Sequence, residues 1–203
     1  MSTTARTATP RGSYHHGDLE AALVSEAIKL VRAEGPNHLS LREVATKCKV
    51  SPSAAYHYFP DKDSLVWAIG DYCFDELARI QDKAISQVPG NSAKAAKARF
   101  RELGHSYFQW AKKDPNLFRL MFGGYCSISK TDESVQDPAY VTLVRVLDDL
   151  LAHGVISKAA RQNAEMAAWP AVHGATNLII EGHMPEEAFE TVLDTIEAGL
   201  GIK

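Results

Sequence analysis

The stretch from Leu39 to Leu65, LSLREVATKCKVSPSAAYHYFPDKDSL, decides the reading of this chain. It holds an apolar helical pattern, a break, and then Tyr56, His57, Tyr58 and Phe59 in succession. Neighbours on a helix stand about 100° apart around the axis, so four consecutive rings cannot all enter a core. Ser40, with Glu43 three residues on, has the pattern of a capping box, and Leu41, Val44, Ala45 and Cys48 share the apolar face that follows. Ser51 caps a second short helix with Pro52 at its first position, where a missing N–H costs nothing. That helix stops at Phe59-Pro60, and Asp61 caps the next one. Upstream, Asp18 begins a run whose Leu19, Leu23, Ala27, Ile28, Leu30 and Val31 form one stripe, ended by Gly35-Pro36.

Two helices joined by a turn of a few residues, backed by a third, form the arrangement that lays a short recognition helix in the major groove of DNA. On this reading Ala55, Phe59 and one tyrosine edge point inward. Ser51, Ser53, Ala54, His57 and the hydroxyl ends of Tyr56 and Tyr58 face out. Those hydroxyls are neutral donors suited to phosphate oxygens. Lys62, at the start of the next helix, reaches the same phosphate together with the backbone N–H groups around Asp61. Arg42 reaches a phosphate or a base edge, Ala54 a thymine methyl, and His57 a base or a phosphate.

The charge pattern agrees in sign. Residues 1–60 hold seven Lys/Arg against five Asp/Glu, whereas residues 61–203 hold fifteen against twenty. A mildly basic head on an acidic body suits an anionic partner, although chance composition also produces a difference of this size. Hydrophobic residues make up 45% of the 203, enough for a packed core. Cys48, Cys73 and Cys126 are odd in number and widely spaced, without a Cys-x-x-Cys pair, as expected of small buried side chains in a reducing compartment. No apolar run approaches eighteen residues, and the first residues lack an apolar signal core. A cytoplasmic protein without a membrane segment is expected.

Beyond residue 64 the helical punctuation continues with longer elements. Helices are expected over 64–88, 92–113, 116–122, 138–153, 158–181 with Pro170 as a kink, and 185–200, and residues 125–137 form a polar, turn-rich loop. The fold class is therefore all-α. Three parts are expected: a flexible arm over 1–13, a three-helix DNA-binding head over 14–66, and a helical body over 67–203. Arg6 and Arg11 on the arm are candidates for a minor groove, against the alternative of a disordered tail.

The segment SLREVATKCKVSPSAAYHYFPDKDSL, together with YHHGDLEAALVSEAIKLVRAEG upstream, resembles the DNA-binding domain of the tetracycline-repressor (TetR) family of bacterial transcription regulators. Arg42, Val44-Ala45, Val50-Ser51, Tyr56-His57-Tyr58-Phe59 and Lys62 with Leu65 fill the family pattern over about residues 14–66. Lys49 departs from it, since the family usually has Gly at this turn. A left-handed residue other than Gly costs about 1 kcal/mol, which a phosphate contact by Lys49 would offset. The resemblance implies a homodimer reading a palindromic operator on double-stranded DNA, with Ser51, Ser53, Tyr56, His57, Tyr58 and Lys62 as contacts.

The resemblance also implies a body that binds a small-molecule effector between its helices. Residues 165–183, EMAAWPAVHGATNLIIEGH, resemble the Trp-x-x-x-His-Gly signature of one C-terminal domain type in the family. Trp169, His173 and Asn177 recur on one helix face, and Gly174 permits close helix approach. Pocket candidates on the first body helices are Tyr107, Phe108, Trp110, Leu117, Met121 and Phe122. Met166, Trp169, His173 and Asn177 complete the set. For each aromatic the competing assignment is ordinary core, and for His173 it is a buried hydrogen-bond partner. The composition suits an apolar or aromatic effector.

The last two helices are expected to form the dimer. Ala175, Leu178 and Ile179 make one stripe, and Ala188, Phe189, Val192, Leu193, Ile196 and Leu200 another, unless both are spent inside the monomer. Enzyme motifs are absent: there is no Gly-rich phosphate loop, Gly-x-Ser-x-Gly or His-Glu-x-x-His, and neither a cofactor nor a metal is expected. The alternative to a ligand-responsive repressor is an effector-independent DNA-binding protein, linked to the nucleoid or to cell division, with its pocket filled.

Overall fold

A computed structural model describes residues 16–123 and 137–203, so the arm and nearly all of the turn-rich loop lie outside the described residues. Every regular element among the described residues is helical. Helix α1 (His16–Glu34) turns Leu19, Leu23, Ala27, Leu30 and Val31 inward. Gly35, at φ 87°, ends it, and a 3-10 turn over Pro36–His38 leads into α2 (Leu41–Lys47). Helix α3 (Pro52–Tyr58) follows the short turn, and α4 (Lys62–Ser86) leaves the head. Val44, Ala45, Ala55, Phe59 and Leu65 are buried together beneath α1.

The body contains α5 (Ala93–Lys113), α6 (Pro115–Phe122), α7 (Pro138–Ala152), α8 (Lys158–Arg161), α9 (Glu165–Ile180) and α10 (Ala188–Gly199). Helices α4, α5 and α7 pack on one another, α9 lies against α5 and α10, and α6 lies against α1. One apolar core runs unbroken from Leu23 on α1, through Leu65, Ile69 and Leu77 on α4 and Phe118 on α6, to Phe189 and Leu193 on α10. A second core gathers Phe100, Leu147, Leu150 and Ile156 at the far end.

The local rules predicted from sequence hold in most places and fail in a few. Ser40 precedes α2 but makes no side-chain cap, and Glu43 instead pairs with Lys47 at 3.5 Å. The reciprocal box forms two caps later: the Ser64 N–H donates to Asp61 Oδ1 at 2.8 Å, and the Asp61 N–H donates to Ser64 Oγ at 3.4 Å. The single helix expected over 158–181 is two, because Asn163 takes φ 59° between α8 and α9. Asn tolerates this left-handed backbone better than most residues. Pro170 sits inside α9, which continues through it.

Close approach occurs at a different glycine from the one expected. A Cβ on Gly174 would meet nothing within 4 Å. One on Gly104 of α5 would lie 2.7 Å from Leu193 Cδ2 of α10. Leu193 is itself buried, so its displacement must be absorbed by packed neighbours. Gly104→Ala is therefore expected to destabilise the fold by about 1–3 kcal/mol, read as a lowered urea midpoint; an unchanged midpoint would mean that the α5–α10 contact is slack.

Candidate nucleic-acid interface and ligand cavity

The cations of the head fall into two groups, paired and unpaired among the described residues. Lys29 is paired with Glu26 at 2.5 Å and Lys47 with Glu43. Arg32 forks onto Asp114 of the body, its Nε at 3.0 Å from Oδ1 and its Nη2 at 3.1 Å from Oδ2. Arg42, Lys49 and Lys62, by contrast, are exposed and make no ion pair among the described residues. Around them Ser51, Ser53, Tyr56 and His57 are exposed, with Tyr56 40% accessible. Ala54, expected to face out, is half-buried and packs against the core. Tyr58 is half-buried as well, its ring edge-on to His57 at 5.5 Å, and is the tyrosine turned partly inward.

The turn between α2 and α3 is built by a specific hydrogen-bond pattern. Lys49 N–H donates to Thr46 O and Val50 N–H to Ala45 O, both at 3.0 Å, with Lys49 at φ 58°. This is a Schellman ending, in which the residue after the cap must be left-handed. Gly154, Gly182 and Gly201 fill the same place after α7, α9 and α10. A lysine at this position keeps the motif at a steric cost and carries its ammonium on the exposed face.

Ser51 caps α3, its Oγ accepting from Ala54 N–H at 3.2 Å, which leaves the hydroxyl proton to donate. At the start of α4 the carboxylate of Asp61 already takes the Ser64 amide, and that bond holds its pKa below the usual carboxylate range. The backbone N–H groups at this helix start are thus partly satisfied, and Lys62 is the group there that remains for an anion.

In the body a cavity of about 530 Å³ opens between α4, α5, α6, α7, α9 and α10. Of the ten expected pocket residues, Tyr107, Met121, Phe122 and Trp169 line it. Phe108, Trp110 and Leu117 do not, because they are spent in the core. Phe108 stacks on Phe189 at 4.3 Å, and the Trp110 indole N–H donates to Glu76 at 3.3 Å. Met166 is 66% exposed and Asn177 is exposed as well, so both lie outside the cavity.

His173 Nδ1 and the Tyr107 hydroxyl share a hydrogen bond at 2.9 Å, and the imidazole stands behind the cavity wall among Phe118, Phe122 and Trp169. Burial favours the neutral imidazole, since desolvation lowers the His173 pKa, and either neutral tautomer can pair with the hydroxyl. Burial also pushes the Tyr107 hydroxyl well above its ordinary range, with the Trp169 side chain pulling the other way.

Sequence reasoning missed the wall contributed by α4: Trp67, Phe74, Leu77 and Gln81. The available signal was Gln81, which falls on the buried stripe of Cys73 and Leu77 at helical spacing and is the one polar member of it.

The expected dimer stripes also divide differently. Phe189, Leu193 and Leu200 of α10 and Ala175 of α9 are buried within this chain, so they cannot face a partner. Val192, Ile196 and Ile179 are half-buried against the same cores. Leu178 is 40% exposed, and with Met166, Trp169 and Pro170 it gives α9 an apolar outer face. Among the described residues no helix is long and apolar enough to cross a membrane, and no group of three His, Cys, Asp or Glu side chains is placed to hold a metal ion.

Comparison with known proteins agrees with this architecture. Residues 23–69 match the model of bacterial regulatory proteins of the tetR family, and residues 100–196 match the tetracyclin repressor-like C-terminal domain. The chain belongs to the TetR family. An HTH-type transcriptional repressor of Mycobacterium tuberculosis is 28% identical over 127 residues, covering 58% of this chain and 66% of that protein. Matches to the curated relatives span from 20% to about two thirds of their length.

A solved structure of a protein of unknown function from Rhodococcus sp. RHA1 superimposes with a TM-score of 0.72 at 25% identity, covering 94% of this chain and 100% of that one. A tetracycline-repressor variant from Acinetobacter baumannii AYE in complex with minocycline has a TM-score of 0.62 at 20% identity, covering 88% of this chain and 94% of that one.

The buried neutral histidine makes stability depend on pH. His173 has a folded pKa below its unfolded value of about 6.5, so stability is full above about pH 6.5 and is lost as pH falls toward the folded pKa. Urea midpoints at about pH 7.5 and 5.5 should therefore differ more for the native protein than for His173→Gln. Equal differences would show that His173 protonates freely in the folded state.

Proposed function

We propose that this chain is a ligand-responsive, DNA-binding transcriptional regulator, acting as a repressor that binds a palindromic operator as a dimer and is released by a small apolar or aromatic effector. The observation that carries the reading is the pairing of two features in one all-helical fold. Arg42, Lys49 and Lys62, exposed and without an ion pair among the described residues, belong to the same head as the exposed Tyr56 and His57, and an apolar cavity of about 530 Å³ is lined by the same α4 that begins at Lys62. In this reading residues 14–66 are the DNA-binding head and 67–203 the effector and dimerisation body, of the Trp-x-x-x-His-Gly type carried by Trp169, His173 and Gly174. The open cavity argues against the effector-independent alternative, and no enzymatic role is assigned. The structural likeness to a minocycline-bound regulator supports the same use of the body.

Ser51, Ser53, Tyr56, His57 and Lys62 are the proposed DNA contacts, with Arg42 and Lys49 beside them. Phosphate contacts fix register, and the exposed face of α3 reads bases in the major groove. The dimer forms through the outer face of α9. That helix is apolar on nearly every side, and a helix of this kind is covered on both faces in the working assembly. Met166, Pro170 and Leu178 lie on its uncovered side, where Gly174 leaves a flat surface. A two-fold axis there sets the two heads to meet half-sites one helical turn, or a multiple of it, apart.

The coupling runs through α6. Met121 and Phe122 at its end line the cavity, while its first residues hold α1. Asn116 Nδ2 donates to Arg32 O at 3.1 Å beside the Arg32–Asp114 fork. An effector that favours one position of α6 thereby favours one position of the head, and release needs only differential affinity for the two states.

Selection of bound fragments from genomic DNA tests the reading. Enrichment of one palindromic site is expected. On that site Lys62→Ala and Tyr56→Phe should weaken binding by similar factors on cognate and mutated duplexes, and Lys62→Ala should reduce the salt slope by about 1. Lys49→Gly should stabilise the fold by about 1 kcal/mol while weakening DNA binding. No enrichment together with no binding at low salt would sink the DNA-binding reading, and a change of base preference in Tyr56→Phe would reassign that residue.

A further inference from the structure

The cavity wall contains a fully buried polar atom with no hydrogen-bond partner among the described residues. Gln81 on α4 is 4% exposed, lines the cavity, and its Oε1 has no hydrogen-bond partner among the described residues. A buried acceptor left unsatisfied costs about 1–3 kcal/mol, whereas a leucine of similar shape in its place would cost nothing of the kind. A resident water at Oε1 would need roughly two to four polar partners, and the lining is dominated by Trp67, Phe74, Leu77, Phe100, Leu143 and Leu193.

Two other polar groups in the wall are engaged. The Tyr107 hydroxyl is hydrogen-bonded to His173 Nδ1 at 2.9 Å. Asp137 Oδ1 accepts from the Ala139 N–H at 2.8 Å, which places its carboxylate at the start of α7. There a helix N-terminus offsets negative charge. Among the described residues no Lys, Arg or His lines the cavity. An anion would find no countercharge and would face Asp137.

Resting on the effector reading above, we propose that the occupant is a neutral molecule with an aromatic or alicyclic body and one hydroxyl or N–H donor, and that Gln81 Oε1 is the acceptor that reads this donor. The apolar body fills the space between the rings of α4, α5 and α9. The donor fixes its orientation, because Gln81 Oε1 is the fully buried acceptor in the wall that lacks a partner among the described residues. A group that is unsatisfied without ligand and satisfied with it favours binding, because its oxygen is already desolvated in the free protein and the new bond is not opposed by stripping water from it. It also ties ligand binding to α4, the helix whose first residue is Lys62.

The test uses four matched probes on the full chain: biphenyl, para-phenylphenol, and the carboxylate and aminomethyl derivatives of biphenyl. Trp67 and Trp169 line the cavity, so quenching of tryptophan emission reports occupancy, and calorimetry gives the affinity. Para-phenylphenol is expected to bind the native protein about tenfold more tightly than biphenyl. In Gln81→Leu and Gln81→Met the two should bind within about twofold of each other, with biphenyl undiminished. Gln81→Leu without ligand should melt no lower than the native protein, which separates a changed site from a misfolded one.

Equal binding of biphenyl and para-phenylphenol to the native protein would overturn the donor inference while leaving an apolar effector cavity standing. So would tightest binding of the carboxylate or the ammonium, or a preference for the phenol that persists in both variants. Failure of all four probes to bind would overturn the cavity reading together with this one.

Discussion

Helix α4 joins the two ends of the molecule, and the hydrogen bonds that start it hold both in register. Asp61 and Ser64 exchange bonds at its first turn, directly beneath α3, and the helix then runs 25 residues into the body. At a rise of about 1.5 Å per residue, Lys62 and Gln81 stand about 28 Å apart on one continuous rod. Leu65, Ile69 and Leu77 on the intervening turns belong to the same buried cluster as Phe59 of the head and Phe118 of α6. A displacement at the cavity end of such a helix is not absorbed locally, because close-packed interiors are stiff. The Arg32–Asp114 fork and the Asn116 bond to Arg32 O add a second attachment from α6 to α1, so the head is held from two sides.

How much of this was legible in the sequence depended on the range of the rule. In the head, local rules suffice. Pro52 at a helix start, Ser51 as a cap, Gly35-Pro36 as a stop and the apolar stripe of α1 are decided within a few residues, and the structure carries all four. The capping box was legible in kind but misplaced. Ser40 and Glu43 have the right letters, yet Glu43 lies one turn from Lys47 and pairs with it instead. The break at Asn163 was not legible, since Asn inside a helical pattern is an ordinary residue until a left-handed turn selects it.

The body was legible in outline only. Which aromatic faces a cavity and which fills a core depends on neighbours far away in the chain. Phe108 and Tyr107 are adjacent in sequence, yet one stacks on Phe189 and the other lines the cavity. The same holds for α10: its apolar stripe reads equally well as a partner's surface, and the stacking of Phe189 on Phe108 and the approach of Leu193 to Gly104 show that it is spent on α5. What remains outside is α9, where Trp169 borders the cavity and is still 42% exposed on the outer face. A residue with one side toward a ligand and the other toward a second copy gives the proposed dimer a direct view of cavity occupancy.

The coupling of cavity to head is the centre of the account, and binding linkage tests it without assumptions about the pathway. If an occupant favours one position of the head, DNA must alter the affinity for that occupant by the same factor by which the occupant alters the affinity for DNA. The measurement is a calorimetric titration of para-phenylphenol into the native protein, free and saturated with the duplex enriched from genomic DNA. The account predicts weaker binding to the DNA-bound protein, by about 5–150-fold if the coupling lies in the usual range. Equal affinity in the two states, with the duplex still bound at the end of the titration, would contradict it.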